Sequence, residues 1–464
     1  MAQMKDGYID DLHTILSQRD KFFVPYSTSH IGDILSSYNE NDQAQNKRIE
    51  KDLDFITKIT DNYCLSNNGK QVVLNTTDPH SLFKQRIDNS DLLDDFGLGK
   101  IEELFNVEGI PKGLGDMFIS ALKSIPIDDS FNIALQNPEN KETLRKIFPD
   151  LGENPTMEDF FRSFGKMFKN LNEEEGYKGL REITQNGLGI NRDKIFNDND
   201  PYDIIDNAHS KVGFKFDDYV DHSKYAPEWY NRITNEYLKL DMHGYQEDKV
   251  EVKPNKRKQT FANTTEDGSH AAFASTCQFY ITNDNKTYEK TKKVFERLNL
   301  NTKVFRPKEF TDYYAQFIGR ENKSIEDNFK TILEIINDNN STETEIENGF
   351  RRIYQTPKFI FDFFTGITKQ WDNSSGEQIT MLFRDTPTNF PSTFAFEVRN
   401  LVARIDPDFL KDDSRVDLVR DDVLRNENWA GIRWNFGDIE LRMLGYQGNI
   451  QMYISSTRNT DSSE

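Results

Sequence analysis

The spacing of apolar residues divides the chain into helical and strand-like stretches. Over residues 9–19, Ile9, Leu12 and Leu16 fall on one side with Ile15 beside them, which predicts an amphipathic helix. Phe22-Phe23-Val24, closed by Pro25, reads as a short buried strand. Ser27 to Ser29 offer N-caps for a helix carrying Ile31, Ile34 and Leu35. Ile49, Leu53, Ile56 and Tyr63 have helical spacing and predict a helix over 43–64, and Val72-Val73-Leu74 reads as another strand.

Between about 80 and 225 the text becomes helical patterns broken by Gly and Pro. Pro227 then opens a helix whose Tyr230, Ile233, Tyr237 and Leu240 form one stripe. Residues 261–310 are the most regular part. A helix of small residues runs from His270 to Cys277, and a strand follows at Phe279-Tyr280-Ile281-Thr282. A helix over 286–298 and a strand over 302–305 complete the series. Helix, strand, helix, strand at this rhythm predicts a parallel sheet with covering helices. Residues 311–336 read as helical and Asp338 to Thr344 as a polar linker. Near the end, Ile432, Trp434 and Phe436 alternate, then Ile439, Leu441 and Met443, then Ile450, Met452 and Ile454, which predicts three strands with turns at Gly437 and Gly445 to Gly448. The expected organisation is an α/β domain over 1–80 and 225–311, a mainly helical insertion over 81–224, and a C-terminal α+β domain over 312–464 with a β-rich end.

Charge narrows the function classes. With 58 basic and 78 acidic residues the net charge is −20, which excludes a general coater of nucleic acid. A local basic run at Lys253, Lys256, Arg257 and Lys258 is the best candidate for backbone phosphate contact. Two cysteines give neither a disulfide framework nor a zinc cluster. No run of about 18 apolar residues is present to span a membrane. The opening lacks the apolar segment of a signal peptide, and a cytoplasmic location is expected. Gly97-Leu98-Gly99, Gly113-Leu114-Gly115 and Gly187-Leu188-Gly189 lack the third glycine of a dinucleotide loop and read as turns or caps.

The candidate chemistry is carboxylate chemistry. In a parallel α/β sheet, functional groups gather where strands end and helices begin. Asp284 follows the 279–282 strand, Asp267 precedes the His270 helix, and Asp33 lies in the first turns of the helix after Val24. If they converge, their mutual repulsion favours a divalent cation, Mg²⁺ or Mn²⁺. An Asp near a helix start is also a common cap without function. His270 can bind phosphate or the metal, or serve as a satisfied structural histidine. Thr282 can hold water or phosphate, or cap the next helix.

The run Asp267-Gly268-Ser269-His270-Ala271-Ala272-Phe273-Ala274, then Cys277, then Tyr280-Ile281-Thr282-Asn283-Asp284, then a Lys-rich helix and Thr302-Lys303-Val304, resembles the C-terminal half of PIN-like nuclease domains. Val24-Pro25-Tyr26-Ser27 and His30-Ile31-Gly32-Asp33-Ile34 look like that family's second strand and the helix bearing its second acid. The family's first strand and its Asp have no counterpart in Met1 to Tyr8. The resemblance covers roughly 9–75 and 225–311. It implies a metal-dependent nuclease, with Asp33, Asp267 and Asp284 as catalytic and metal-holding acids and with His270, Thr282, Lys256, Arg257 and Lys258 on the substrate side. It further implies RNA as the nucleic-acid partner, in a defence or toxin-like setting. The resemblance does not reach residues 312–464, for which a protein partner is a separate expectation. The alternative is a catalytically inactive PIN-like module whose C-terminal domain binds a partner or ligand.

Overall fold

The computed structural model describes residues 8–19, 21–88, 174–211, 227–247, 261–319, 324–338, 340–373, 378–384, 391–419, 429–446 and 449–456. Counting helices of seven residues or more, the first part of the chain holds α1 (Tyr8–Leu16), β1 (Tyr26–Ser27), α2 (Thr28–Leu35), α3 (Gln43–Thr60), β2 (Tyr63–Asn67), β3 (Val72–Thr76) and α4 (Pro79–Asp88). The middle holds α5 (Glu174–Gly187), α6 (Pro201–Lys211), α7 (Glu228–Met242), α8 (Phe261–Ala274), β4 (Phe279–Ile281), α9 (Asn285–Arg297) and β5 (Lys303–Phe305). The last part holds α10 (Pro307–Tyr313), α11 (Ile325–Asn337), β6 (Thr342–Ile346), β7 (Gly349–Ile360), β8 (Phe364–Asp372), β9 (Gln378–Phe383), α12 (Pro391–Ile405), β10 (Ile432–Phe436), β11 (Ile439–Tyr446) and β12 (Asn449–Ser456). The fold is mixed helix and sheet. Among the described residues, no helix is long and apolar enough to cross a membrane.

The chain divides into two compact units. One comprises Val24–Phe273 and Asp284–Leu300, and the other Met1–Phe23, Ala274–Asn283 and Asn301–Glu464.

The Val24–Leu300 unit contains a small sheet of order β1-β2-β3, with β1 and β2 parallel and β2 and β3 antiparallel. Tyr26, Ile31, Ile49, Leu53, Cys64 and Phe83 form its core, so β1, β2, α2, α3 and α4 share one apolar interior. α3 stops where Asp61 and Asn62 take left-handed backbone, with φ of 48° and 66°. The expected continuation of that helix to Tyr63 is corrected here. Tyr63 starts β2, because the turn at Asp61-Asn62 reverses the chain after Thr60.

The helical part of the same unit is α5, α6, α7 and α9. Tyr177, Ile205, Ile233, Tyr237, Leu240 and Val294 are buried in it. So is Asp241, whose carboxylate is fully inaccessible. Lys290 of α9 donates to it at 2.9 Å, Tyr177 of α5 donates at 2.5 Å, and Arg181 of α5 forms an ion pair with it. Burial alone would raise the Asp241 pKa. The charges of Lys290 and Arg181 outweigh this and hold it well below the usual carboxylate range. His209 of α6 and His243, at the end of α7, meet with Nε2 atoms 2.9 Å apart, and both rings are buried. His243 Nδ1 lies 2.6 Å from the carbonyl of Lys239, so Nδ1 carries the proton and Nε2 accepts from His209.

In the other unit, α1 lies against α10. Phe22 packs its ring on Phe310 and Tyr314, at 5.9 and 6.0 Å between centroids. The expected strand at Phe22-Phe23-Val24 is not formed; the Phe22 and Phe23 rings pack on other rings, and the first described strand begins after Pro25. β4 and β5 pair in parallel as a two-stranded sheet. The expectation of one parallel sheet across 9–75 and 225–311 is therefore corrected: β1 and β4 belong to different sheets. β2 lies beside β1 and pairs on its far side with β3, the strand expected at Val72-Val73-Leu74.

The largest sheet has seven strands in the order β10-β11-β12-β9-β8-β7-β6, and every neighbouring pair is antiparallel. One face carries Tyr354, Ile367, Leu382, Leu441, Met443 and Met452, packed with Ile332 and Ile335 of α11 and Val398, Leu401, Val402 and Ile405 of α12. Three of its strands are the predicted β10, β11 and β12. The expected linker over Asp338 to Thr344 is corrected in part, since Thr342 opens β6. Much of the expected helical insertion lies outside the described residues; within it α5 and α6 are helical.

Candidate functional site

α2 starts at Ser27, whose extended backbone suits an N-cap. His30, three residues on, accepts the Ser27 backbone N–H on Nδ1 at 3.0 Å, in the manner of a capping-box Glu. Ile31 is fully buried in the core, which turns His30 and Asp33 to the other side of the helix, three residues apart on one face. On α8, Glu266, Asp267 and His270 are likewise spaced three and four apart. Gly268 faces α7, where an added Cβ would rest 3.5 Å from the Thr234 carbonyl and the Tyr237 ring.

The two helices meet closely. A Cβ on Gly32 would lie 2.7 Å from Glu266 Oε1, so only glycine leaves that carboxyl its place. Glu266 is hydrogen-bonded to Ser29. His270 Nε2 lies 3.3 Å from Asp33 Oδ2. The imidazole is 9% exposed and the carboxylate 33%, so the histidine lies beneath and the aspartate reaches solvent. The rings of His30 and His270 meet edge to face, 4.5 Å between centroids.

These contacts separate the proton affinities. Desolvation opposes a charge on His270, but the hydrogen bond and charge of Asp33, with Asp267 and Glu266 behind it, raise its pKa above the imidazole value. His30 moves the other way: the surrounding protein disfavours its charge, and so does His270 beside it. The residue is nevertheless solvent-exposed, which relieves part of that desolvation. With Nδ1 accepting from Ser27, neutral His30 carries its proton on Nε2. Desolvation raises the Glu266 pKa, against the Ser29 hydrogen bond and the charges of Arg86 and His270.

Of the residues singled out in the sequence, Asp33 meets His270, and Asp267 contributes to the charge around that ring. The expected place of Asp267 at a helix start is corrected. α8 begins at Phe261 and runs through Gly268, which packs on α7 instead of breaking the helix. Asp284 is the N-cap of α9, its carboxylate accepting the Thr287 N–H at 2.8 Å. Thr282 extends β4 in the other unit, donating its N–H to the Phe305 carbonyl at 3.0 Å. Lys256, Arg257 and Lys258 lie outside the described residues. Glu266 and His30 were missed. The signals were the four-residue spacing of Glu266 to His270 and the three-residue spacing of His30 to Asp33.

Among the described residues, no three His, Cys, Asp or Glu side chains are gathered as a set able to hold one metal ion. Of the three acids that the resemblance implies, Asp33 is paired with His270, Asp267 adds to the charge around that ring, and Asp284 caps α9. What is present can store and pass protons: a carboxylate-held imidazole, a neutral imidazole with an outward N–H, and a carboxyl of raised pKa. Comparison with known proteins gives no matching family profile, no matching curated protein and no matching solved structure.

Proposed function

We propose that the Val24–Leu300 unit cleaves phosphodiester bonds, with RNA as substrate, at the α2–α8 cluster. The observation that carries the reading is the His270–Asp33 pair beside His30 and Glu266. Groups whose surroundings push their proton affinities apart are the usual acid and base of a hydrolytic site. Asp33, on its solvent side, takes the proton of the attacking water and returns it to the leaving oxygen, while His270 beneath holds that carboxylate in place. His30 Nε2–H donates to a non-bridging phosphate oxygen. The nuclease class and RNA come from the PIN-like sequence resemblance. The single-sheet topology which that resemblance implied does not support it, and no step here runs through a cation.

The test is a cleavage panel of single-stranded RNA, tRNA, single-stranded DNA and duplex DNA, each with Mn²⁺ and with EDTA. Asp33→Asn and His270→Gln should each reduce RNA cleavage by about 10²–10⁴-fold while circular dichroism stays native. Loss of all activity in EDTA would restore the cation to the mechanism. No cleavage of any substrate by the wild-type chain would remove the nuclease reading.

A second reading is favoured by Asp284, whose carboxylate is spent on capping α9. In this reading the unit is a binding module without catalysis. It expects neither cleavage nor divalent binding at Asp33 and Asp267, which isothermal titration with Mn²⁺ measures.

A further inference from the structure

The seven-stranded sheet packs one face on α11 and α12 and turns its other face away from them. The pairing register places Arg433, Arg442, Tyr453, Met381, Thr368 and Ile353 in one transverse row across β10, β11, β12, β9, β8 and β7. The row two residues along holds Glu440, Ile379, Gln370 and Arg351. On the other side, Phe383 lies over Gly366, where a Cβ would come within 2.3 Å of its ring. Arg351, Ile353, Thr368, Met381, Phe383 and Gln451 line a shallow hollow on this face.

Four features of this face bear on an anionic, ring-bearing partner. Its strand positions carry Arg351, Arg433 and Arg442 against the carboxylates of Glu440 and, at the end of β8, Asp372, in a chain of net charge −20. Arg433 and Arg442 are directly opposed, an arrangement of like charges that costs stability unless an anion lies between them. Arg442 is part exposed, and its Nε is buried without a hydrogen-bond partner. The neighbouring surface is half-buried Tyr453 and Phe383 with Ile379, which is 43% exposed. Four strand spacings separate Arg442 from Arg351, about 19 Å. A sheet with surface aromatics holds about two or three stacked bases over such a span.

We propose that this open sheet face binds single-stranded nucleic acid, with phosphates on Arg433, Arg442 and Arg351 and bases stacked on Tyr453 and Phe383. The proposal does not rest on the cleavage reading of the other unit, since a sheet can hold a strand that nothing cuts. An acidic peptide satisfies the arginines but leaves the aromatic positions without ligands.

The experiment is fluorescence anisotropy on the full chain in EDTA, with labelled oligo-uridine, oligo-thymidine and poly-glutamate. Arg433→Gln with Arg442→Gln should weaken oligonucleotide binding about tenfold and lower the slope of log affinity against log salt by about 1.4, at roughly 0.7 for each phosphate that is no longer neutralised. Tyr453→Ala should weaken it by about tenfold, and Tyr453→Phe should retain binding because the ring is kept. Melting curves identify any variant that fails to fold, and the exposed Arg433→Gln alone then gives the salt-slope readout. Preference between oligo-uridine and oligo-thymidine assigns RNA or DNA. No oligonucleotide binding by the wild type, unchanged affinity in the double arginine variant, or equal binding of poly-glutamate would overturn the proposal.

Discussion

At the scale of single residues, Gly32 decides how the α2–α8 cluster is built. A methyl there meets the end of a flexible side chain, Glu266 Oε1 and Cδ at 2.7 and 2.8 Å, and no backbone. Glu266 can swing away, and alanine within a helix is favoured over glycine by about 1 kcal/mol. Gly32→Ala should therefore change the melting temperature little while displacing the carboxyl from Ser29. Cleavage by the Ala variant, assayed beside the wild type, should fall with the fold intact. A large loss of stability would mean that α2 and α8 cannot adjust. Little of this was legible in the sequence. Asp33 and His270 stood out as residue types, but Glu266 was hidden by its neighbour Asp267. Gly268-Ser269 looked like a helix start, because a glycine that packs against another helix and one that breaks a helix read alike until the partner helix is known.

Elements were legible where one periodicity ruled. α7 announced itself by Pro227 and a four-residue apolar stripe, and β10, β11 and β12 by strict alternation, because each has one buried and one wet face. The strands from β6 to β9 were missed for the opposite reason. Thr342 to Ile346 is mostly polar and exposed, and its pairing with β7 is held in part by a cross-strand ion pair of Glu343 with Arg352. β2 was lost because Tyr63 happened to fit the helical period of α3. α5, α7 and α9 are joined by something no periodicity marks, the buried Asp241 and its three donors. Removing one partner leaves a buried charge uncompensated, so Lys290→Met should destabilise the chain by about 3–5 kcal/mol in urea unfolding. Combining it with Asp241→Asn should recover part of that loss. If Lys290→Met were neutral, the triad would not hold these helices.

For the whole molecule, buried histidines of opposite tendency shape the dependence of stability on pH. Desolvation lowers the pKa of His209 and His243, the latter to about 4, with Lys239 opposing their charge and Asp206 favouring it. A depressed histidine contributes stability that is present above pH 6.5 and lost as pH falls through its folded value. For His243 this is on the order of 3 kcal/mol between pH 6.5 and 4. His270 is raised, so its contribution is present below pH 6.5 and lost as pH rises through its folded value. Urea unfolding from pH 4 to 9 should give a dome with its top near pH 6.5. His243→Gln should flatten the acid limb and His270→Gln the alkaline limb. Equal slopes in both variants and the wild type would show that these imidazoles do not govern it.

Asp33 and His270 touch although they stand 237 positions apart in the chain. A ribosome adding about 5–20 residues per second needs roughly 12–47 s to pass from one to the other. The interior around Tyr26, Ile31, Ile49, Leu53, Cys64 and Phe83 is complete within the first ninety residues, so α2 has a folded home long before α8 is made. The protonated pair can exist only after that delay. A message cut short before the codon for His270 would yield a chain that carries half of the cluster and none of its chemistry.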